Sequence, residues 1–222
     1  MSNLAPSLNP RNDAGSPRSR VRTGALELVE RPKPEKIRVE LNIAKWPAIW
    51  QPAKSKNKPQ LRVFEREITL DDDTKITARL EVSFNHLGTL TTEEWKMFCA
   101  LISHWEKTGH PTSEVFFSDR LLARILQKKW GTNVIESITK SLRKLRTVSL
   151  EWVNSYHDKT QEGRILRQRQ PMTLLGDLKI IERGEDGAVN SAKGYFRFDD
   201  RILTNLLANH TKPAFLDEII TG

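Results

Sequence analysis

The 222-residue sequence predicts an α+β fold, a helix-turn-helix set among β-hairpins and led by a disordered basic arm. Three observations predict it. Residues 118–147 hold two short amphipathic helix patterns broken by a Gly-Thr-Asn turn. β-Branched runs stand before and after that pair. Eight of the eleven prolines fall in the first 59 residues, at positions 6, 10, 17, 32, 34, 47, 52 and 59.

Residues 1–36 combine those prolines with scattered Ser, Asn and Arg and few large apolar groups. Such a segment buries too little surface to offset its ordering entropy, so it reads as a disordered basic arm, a linker or a loose phosphate contact. Order is expected from "KIRVELNIAKWPAIW", and residues 37–222 are assigned to one domain. The runs "LRVFEREITL" and "KITARLEVSF" are partly alternating and separated by "DDDT", which predicts a hairpin. The acids Asp71 to Asp73 suit a turn better than a cation site.

"TLTTEEWKMFCALISHWEKTGHP" is the clearest helix. Thr91 and Glu94 have capping-box spacing, and Trp95, Phe98, Leu101, Ile102 and Trp105 recur at helical spacing toward a core. Gly109 and Pro111 end it. Cys99, within it, is expected to act as a small buried hydrophobe. His104 is expected on the helix surface and His110 in the turn.

Ser118 is expected to cap "DRLLARILQ", with Leu121, Leu122, Ile125 and Leu126 on one face. Thr132 is expected to cap "NVIESITKSLRKLR", whose Ile135, Ile138, Leu142 and Leu145 line one side. Roughly opposite lie Asn133, Glu136 and Lys140, flanked by Ser137, Arg143 and Lys144. Between 128 and 146 six basic residues face one acid, Glu136. Two such helices alone are an ordinary structural hairpin. "TVSLEWVNSY", the polar "HDKTQEG" and "RILRQRQPMTLL" then predict a second hairpin, with "LKIIERG" and "GYFRFDD" adding strands. A helix-turn-helix followed by a hairpin is the order of a winged helix, which tips the reading toward DNA.

On that reading the second helix enters a major groove. Asn133 and Ser137 stand at the end that meets base edges. Lys140, Arg143 and Lys144 suit phosphates or guanine alike. Glu136 accepts from a cytosine amino group or stays in solvent. On the hairpin, Arg167 and Arg169 share a strand face and Lys159 and Arg164 flank the tip, all four suited to phosphate.

Composition bounds the rest. The net charge is +8 and the pI about 9.7, which favours an acidic partner such as nucleic acid. A single cysteine excludes a disulfide framework and a cysteine-rich zinc site. There is no apolar run of membrane length and no signal-peptide core, so a reducing cytoplasm fits. No Gly-x-x-x-x-Gly-Lys-Ser/Thr loop occurs, which argues against a P-loop ATPase. Five scattered histidines (86, 104, 110, 157, 210) and two tyrosines (Tyr156, Tyr195) lack the His-pair-plus-tyrosine set of a nickase. No enzyme, metal or cofactor is expected.

The chain resembles the replication initiator protein A family of bacterial plasmids. The residues that carry this are "ELNIAKWP" (Glu40 to Pro47, with Lys45 where the family has an acid), "HLGTLTTEEWKMFCALI" (with Gly88 but not the proline of the family's turn) and "GYFRFDDRILTNLLANHTKP". The resemblance runs from about residue 38 to near the end. It implies sequence-specific binding to double-stranded DNA at a plasmid origin, recruitment of host replication proteins, and a second winged-helix unit expected to begin about where "FLDEIITG" ends this sequence, so that the chain reads as a natural short form or a truncated one. A homodimer is compatible with it, and no membrane role is expected. Two alternatives remain at this level: a winged-helix transcriptional regulator or autorepressor, and a winged helix whose basic face meets an acidic protein.

Overall fold

In this computed structural model the described residues are 35–50, 60–69, 73–153, 156–157, 165–166, 171–185 and 188–222. The chain opens with β1 (Lys36–Glu40), the short helix α1 (Leu41–Ala44) and a 3-10 turn (Pro47–Ile49). The expected hairpin follows as β2 (Gln60–Thr69) and β3 (Lys75–Phe84), then the expected long helix as α2 (Thr92–Lys107). Next come β4 (Val115–Ser118), α3 (Asp119–Ile125) and α4 (Thr132–Thr147). β5 (Ser149–Val153), β6 (Tyr156–His157) and β7 (Ile165–Leu166) lead to β8 (Leu175–Glu185) and β9 (Ala188–Phe198). α5 (Asp200–Leu207), β10 (Thr211–Phe215) and α6 (Leu216–Thr221) complete it. Of the expected N-terminal arm only Glu35 and Lys36 are described, and they are built into the β1 edge. Asp71 and Asp72 lie outside the described residues, and Asp73 takes a left-handed turn conformation with φ 60°.

α2 is the centre of the packing. Its capping box forms as the spacing predicts: Thr91 Oγ1 accepts from the Glu93 N–H at 3.2 Å and Glu94 Oε2 accepts from the Thr91 N–H at 2.8 Å. Every residue from Met97 to Trp105 is buried. Phe98 and Trp105 meet Phe198 edge-on at 5.8 and 6.2 Å, which seats β9 against the helix. Cys99 is buried, and desolvation pushes its thiol pKa far up, so it acts as packing material. His104 departs from the expected surface position. It is buried, with Nε2 2.7 Å from the Phe116 carbonyl, because β4 covers that side of the helix.

Of the four sheets among the described residues, three share the core with this helix. In the first, β3 lies between β2 and β5, and Ala78, Leu80, Val82 and Phe84 alternate into the core. The run after α4 thus gains a partner the periodicity does not reveal: β5 pairs antiparallel with β3, Leu80 opposite Trp152. The expected hairpin beyond it is also present. Leu150 bridges Met172, and Tyr156 pairs with Leu166 in the same antiparallel register. Its tip lies outside the described residues. In the second sheet the order is β4-β9-β8, all antiparallel. In the third, β1 pairs with β10, which brings the two ends of the described chain together.

Glu40 ties that closure to the core. Its Oε2 accepts from the Ile43 N–H at 2.8 Å, and Oε1 accepts from the Asn42 and Asn205 amides at 2.7 and 2.8 Å. The motif "ELN" is therefore a helix cap that also reaches α5. Trp46, in the same motif, meets Trp152 edge-on at 6.2 Å, with the Arg66 guanidinium 4.6 Å from its ring centroid. Burial beside Arg66 lowers the Lys45 ammonium pKa, desolvation being the larger cause.

Burial raises the Glu40 pKa above its ordinary 4.5, although the amide donors pull it back. A carboxyl with a raised folded-state pKa binds more protons when folded. Its contribution to stability is therefore full below the ordinary value and falls as pH climbs through the raised one. Urea unfolding of wild type and Glu40→Gln is expected to show the wild type losing ground to the variant as pH rises from 5 to 8. Glu40→Ala removes the acceptor used by both amides and by the Ile43 N–H and is expected to cost about 2–3 kcal/mol at any pH in that window.

Candidate nucleic-acid interface

Ser118 ends β4 and caps α3, its Oγ accepting from the Leu121 N–H at 3.3 Å, as its residue type predicts. Asp119 anchors the same turn: one oxygen accepts from the Arg120 N–H at 2.6 Å and the other from the Ala192 N–H of β9 at 2.5 Å. The carboxylate is 2 % exposed, so the start of α3 is pinned to the sheet by a buried, fully used acceptor. Sequence reading passes over Asp119, because its partner lies 73 residues away.

α3 and α4 enclose a turn at 126–131 that carries Lys128, Lys129 and Trp130. Lys128 pairs with Glu93 of α2, and the Arg120 guanidinium lies 5.2 Å from the Trp130 ring centroid. The start of α4 differs from expectation. Gly131, not Thr132, is the capping residue, and no side chain caps the helix. The Gly131 carbonyl accepts from the Val134 and Ile135 N–H groups at 3.0 and 3.2 Å, so Thr132 already sits in the first turn.

α4 buries the predicted stripe, Ile135, Ile138, Leu142 and Leu145. Asn133, Glu136, Lys140 and Arg143 are exposed and Ser137 is half-buried, so these five share the wet side. Lys144 does not join them. Its side chain is 7 % exposed, with Nζ 3.0 Å from the Thr89 carbonyl and 3.3 Å from Glu94 Oε2. A residue at the margin of the apolar stripe turns inward when a buried carboxylate offers it a partner. Lys144 is accordingly a structural cation rather than a surface contact.

Arg143 is exposed over half its side chain and donates to Glu182 of β8 at 3.0 Å. Between them and the helix lies a cleft of about 310 Å³ lined by Leu87, Glu136, Thr139, Lys140, Arg143 and Glu182. The Thr139 hydroxyl is buried there without a partner among the described residues. The four hairpin residues expected to help, Lys159, Arg164, Arg167 and Arg169, lie outside the described residues. The arrangement thus joins two cations, an amide and a hydroxyl on one helix face. Arg120, Arg124 and Lys129 add exposed positive charge on α3 and its turn. No group of three or more metal-binding side chains occurs among the described residues. Among them no helix is long and apolar enough to cross a membrane.

No protein-family model matches the chain, and no curated protein matches it. Solved structures do. Crystals of domains 2 and 3 of RctB align at a TM-score of 0.49 and 11% identity, over 75% of this chain and 58% of that one. A selenomethionine derivative of the same two domains aligns at 0.50 and 12% identity, over 80% of this chain and 62% of that one. The chain spans less than two thirds of either structure, and at such identities the likeness is one of fold alone.

The buried pair generates a stability prediction. Lys144→Ala strands Glu94 in the interior and is expected to lower unfolding free energy by about 3 kcal/mol. Lys140→Ala, on the wet side, should stay within about 0.5 kcal/mol of wild type by denaturant titration. Equal effects for the two would place Lys144 at the surface after all.

Proposed function

We propose that this chain is a non-enzymatic, sequence-specific double-stranded DNA-binding protein that acts as a plasmid replication initiator, with α4 as its reading helix. The observation that carries the proposal is the order α2-β4-α3-α4-β8-β9 combined with the sheet order β4-β9-β8. That order supports reading the fold as a winged helix, with the third strand returning between the other two and β5 to β7 inserted after the reading helix. On this reading the β8–β9 hairpin is the wing that belongs to the helix-turn-helix, and the 149–172 hairpin is an added arm. Likeness in fold to domains 2 and 3 of RctB supports the fold on which this reading rests. The resemblance of "ELNIAKWP" to plasmid initiators points the same way, and host replication proteins are the further partners it implies.

The chemistry follows from the face of α4. Lys140 and Arg143 stand where a groove-seated helix meets phosphate or guanine, and Asn133 near its start can read adenine by a bidentate amide contact. Arg143 must exchange Glu182 for DNA, a trade between a solvent-exposed ion pair and a phosphate or base.

Duplexes selected from a random pool are expected to yield one motif that repeats at a replication origin. Binding should weaken steeply with salt, and Lys140→Ala and Arg143→Ala should each reduce the salt slope by about 1 if they meet phosphate. Asn133→Ala should narrow the gap between specific and random duplex by ~1–3 kcal/mol. Glu182→Gln frees Arg143 and is expected to tighten duplex binding by under about 1 kcal/mol. Absence of duplex affinity at low salt defeats the proposal, and a motif found only at promoters favours the regulator.

A further inference from the structure

The β4-β9-β8 sheet has a second face. Leu178 and Ile180 pack against the core and Glu182 meets Arg143 of α4, so alternation sends Lys179, Ile181 and Arg183 to the side away from α4. On that side Phe116 is 73% exposed and Ile181 45%. Phe116, Tyr195 and Lys179 form one cross-strand row, and Ser118, Lys193 and Ile181 form the next. The Phe116 and Tyr195 rings meet edge-on with centroids 6.0 Å apart. The trough around them is about 620 Å³. Gly194 forms its bare floor, since a Cβ there would sit 1.8 Å from the Lys179 carbonyl oxygen.

We propose that this outer face is a binding platform for single-stranded nucleic acid. Two aromatic rings on adjacent strands, Phe116 open to solvent and Tyr195 half-buried beside it, with Lys179 and Lys193 next to Tyr195, offer what an unpaired strand needs. The rings give flat surfaces for unstacked bases, and the ammonium groups stand beside them for the backbone. Arg183 extends the positive edge along β8. The acids border the same rings on the other side, Asp177 hydrogen-bonded to the Tyr195 hydroxyl and Glu114 lining the trough, so a strand would run from them toward the lysines. Charge also chooses between occupants. A protein–protein patch is typically depleted of lysine at its centre, and here Lys179 stands beside Tyr195 in its own row and Lys193 in the next. The platform is separate from the α4 face and goes beyond the duplex reading. An initiator that opens its origin would have a use for it.

The test is fluorescence anisotropy of the full chain with a labelled mixed-sequence single strand of about 20 nucleotides and with a duplex of equal length. Wild type is expected to bind the single strand in low salt. Phe116→Ala with Tyr195→Ala is expected to lose at least about tenfold of that affinity and to leave duplex binding within about twofold. Lys140→Ala with Arg143→Ala should do the reverse. Phe116→Leu, which keeps apolar bulk at an exposed position, guards against misfolding and should lose part of the affinity. No single-strand binding by wild type overturns the proposal, as does an unchanged affinity in the double variant. A wild-type dimer that Phe116→Ala converts to monomer, without loss of single-strand binding, assigns the face to a second copy of this chain instead. Failure on any of these counts leaves the duplex reading intact.

Discussion

Where α4 crosses α2, Glu94 collects four donors. The Thr91 N–H and hydroxyl reach it at 2.8 and 2.7 Å, the Ser141 hydroxyl at 3.0 Å and the Lys144 ammonium at 3.3 Å. Lys144 also donates to the Thr89 carbonyl. One carboxylate thus finishes the cap of α2 and holds two residues of α4, so the two helices cannot rotate independently without stranding a charge in the interior. The exposed side of α4 is the consequence. With Ser141 and Lys144 turned inward beside Leu142 and Leu145, Lys140 and Arg143 are what remains for a partner.

The β4-β9-β8 sheet extends that constraint. Asp119 fixes the start of α3 to β9, and Phe117, Phe196 and Phe198 place the inner face of the sheet in the core. Two surfaces with different chemistry are therefore held in one rigid relation. One is a helix side with cations, an amide and a hydroxyl; the other is a sheet face where Phe116 and Tyr195 stand beside lysines. In the proposed roles the helix side would take the paired form of one polymer and the sheet face the unpaired form.

Closure of the chain depends on a different acid. Glu40 draws β1, α1 and α5 to one point, and the β1–β10 pairing brings α6 back beside α2. The closing run "ANHTKPAFLDEIITG" therefore belongs to the described body. Its apolar Leu216 and Ile220 are buried, and burial is what gives this short amphipathic end a fixed place.

The sequence by itself determined the elements whose signals are local. The capping box of α2, the Ser118 cap, the alternation of β3 and the buried stripe of α4 were all legible because each depends on residues within a turn or two of one another. The separation of Asn133, Glu136 and Lys140 from that stripe was legible for the same reason. Tertiary structure alone decided which long-range partner each border residue meets. Lys144 and Arg143 are adjacent basic residues with similar helical positions, yet one finds a buried carboxylate 50 residues earlier and the other a surface carboxylate on β8. His104 left the surface because β4 covered it. The pairing of β5 with β3, the link from Asp119 to β9 and the aromatic row of Phe116 and Tyr195 were likewise invisible. Strand register and cross-sheet contact are set by packing between segments far apart in the chain, and periodicity carries no record of them.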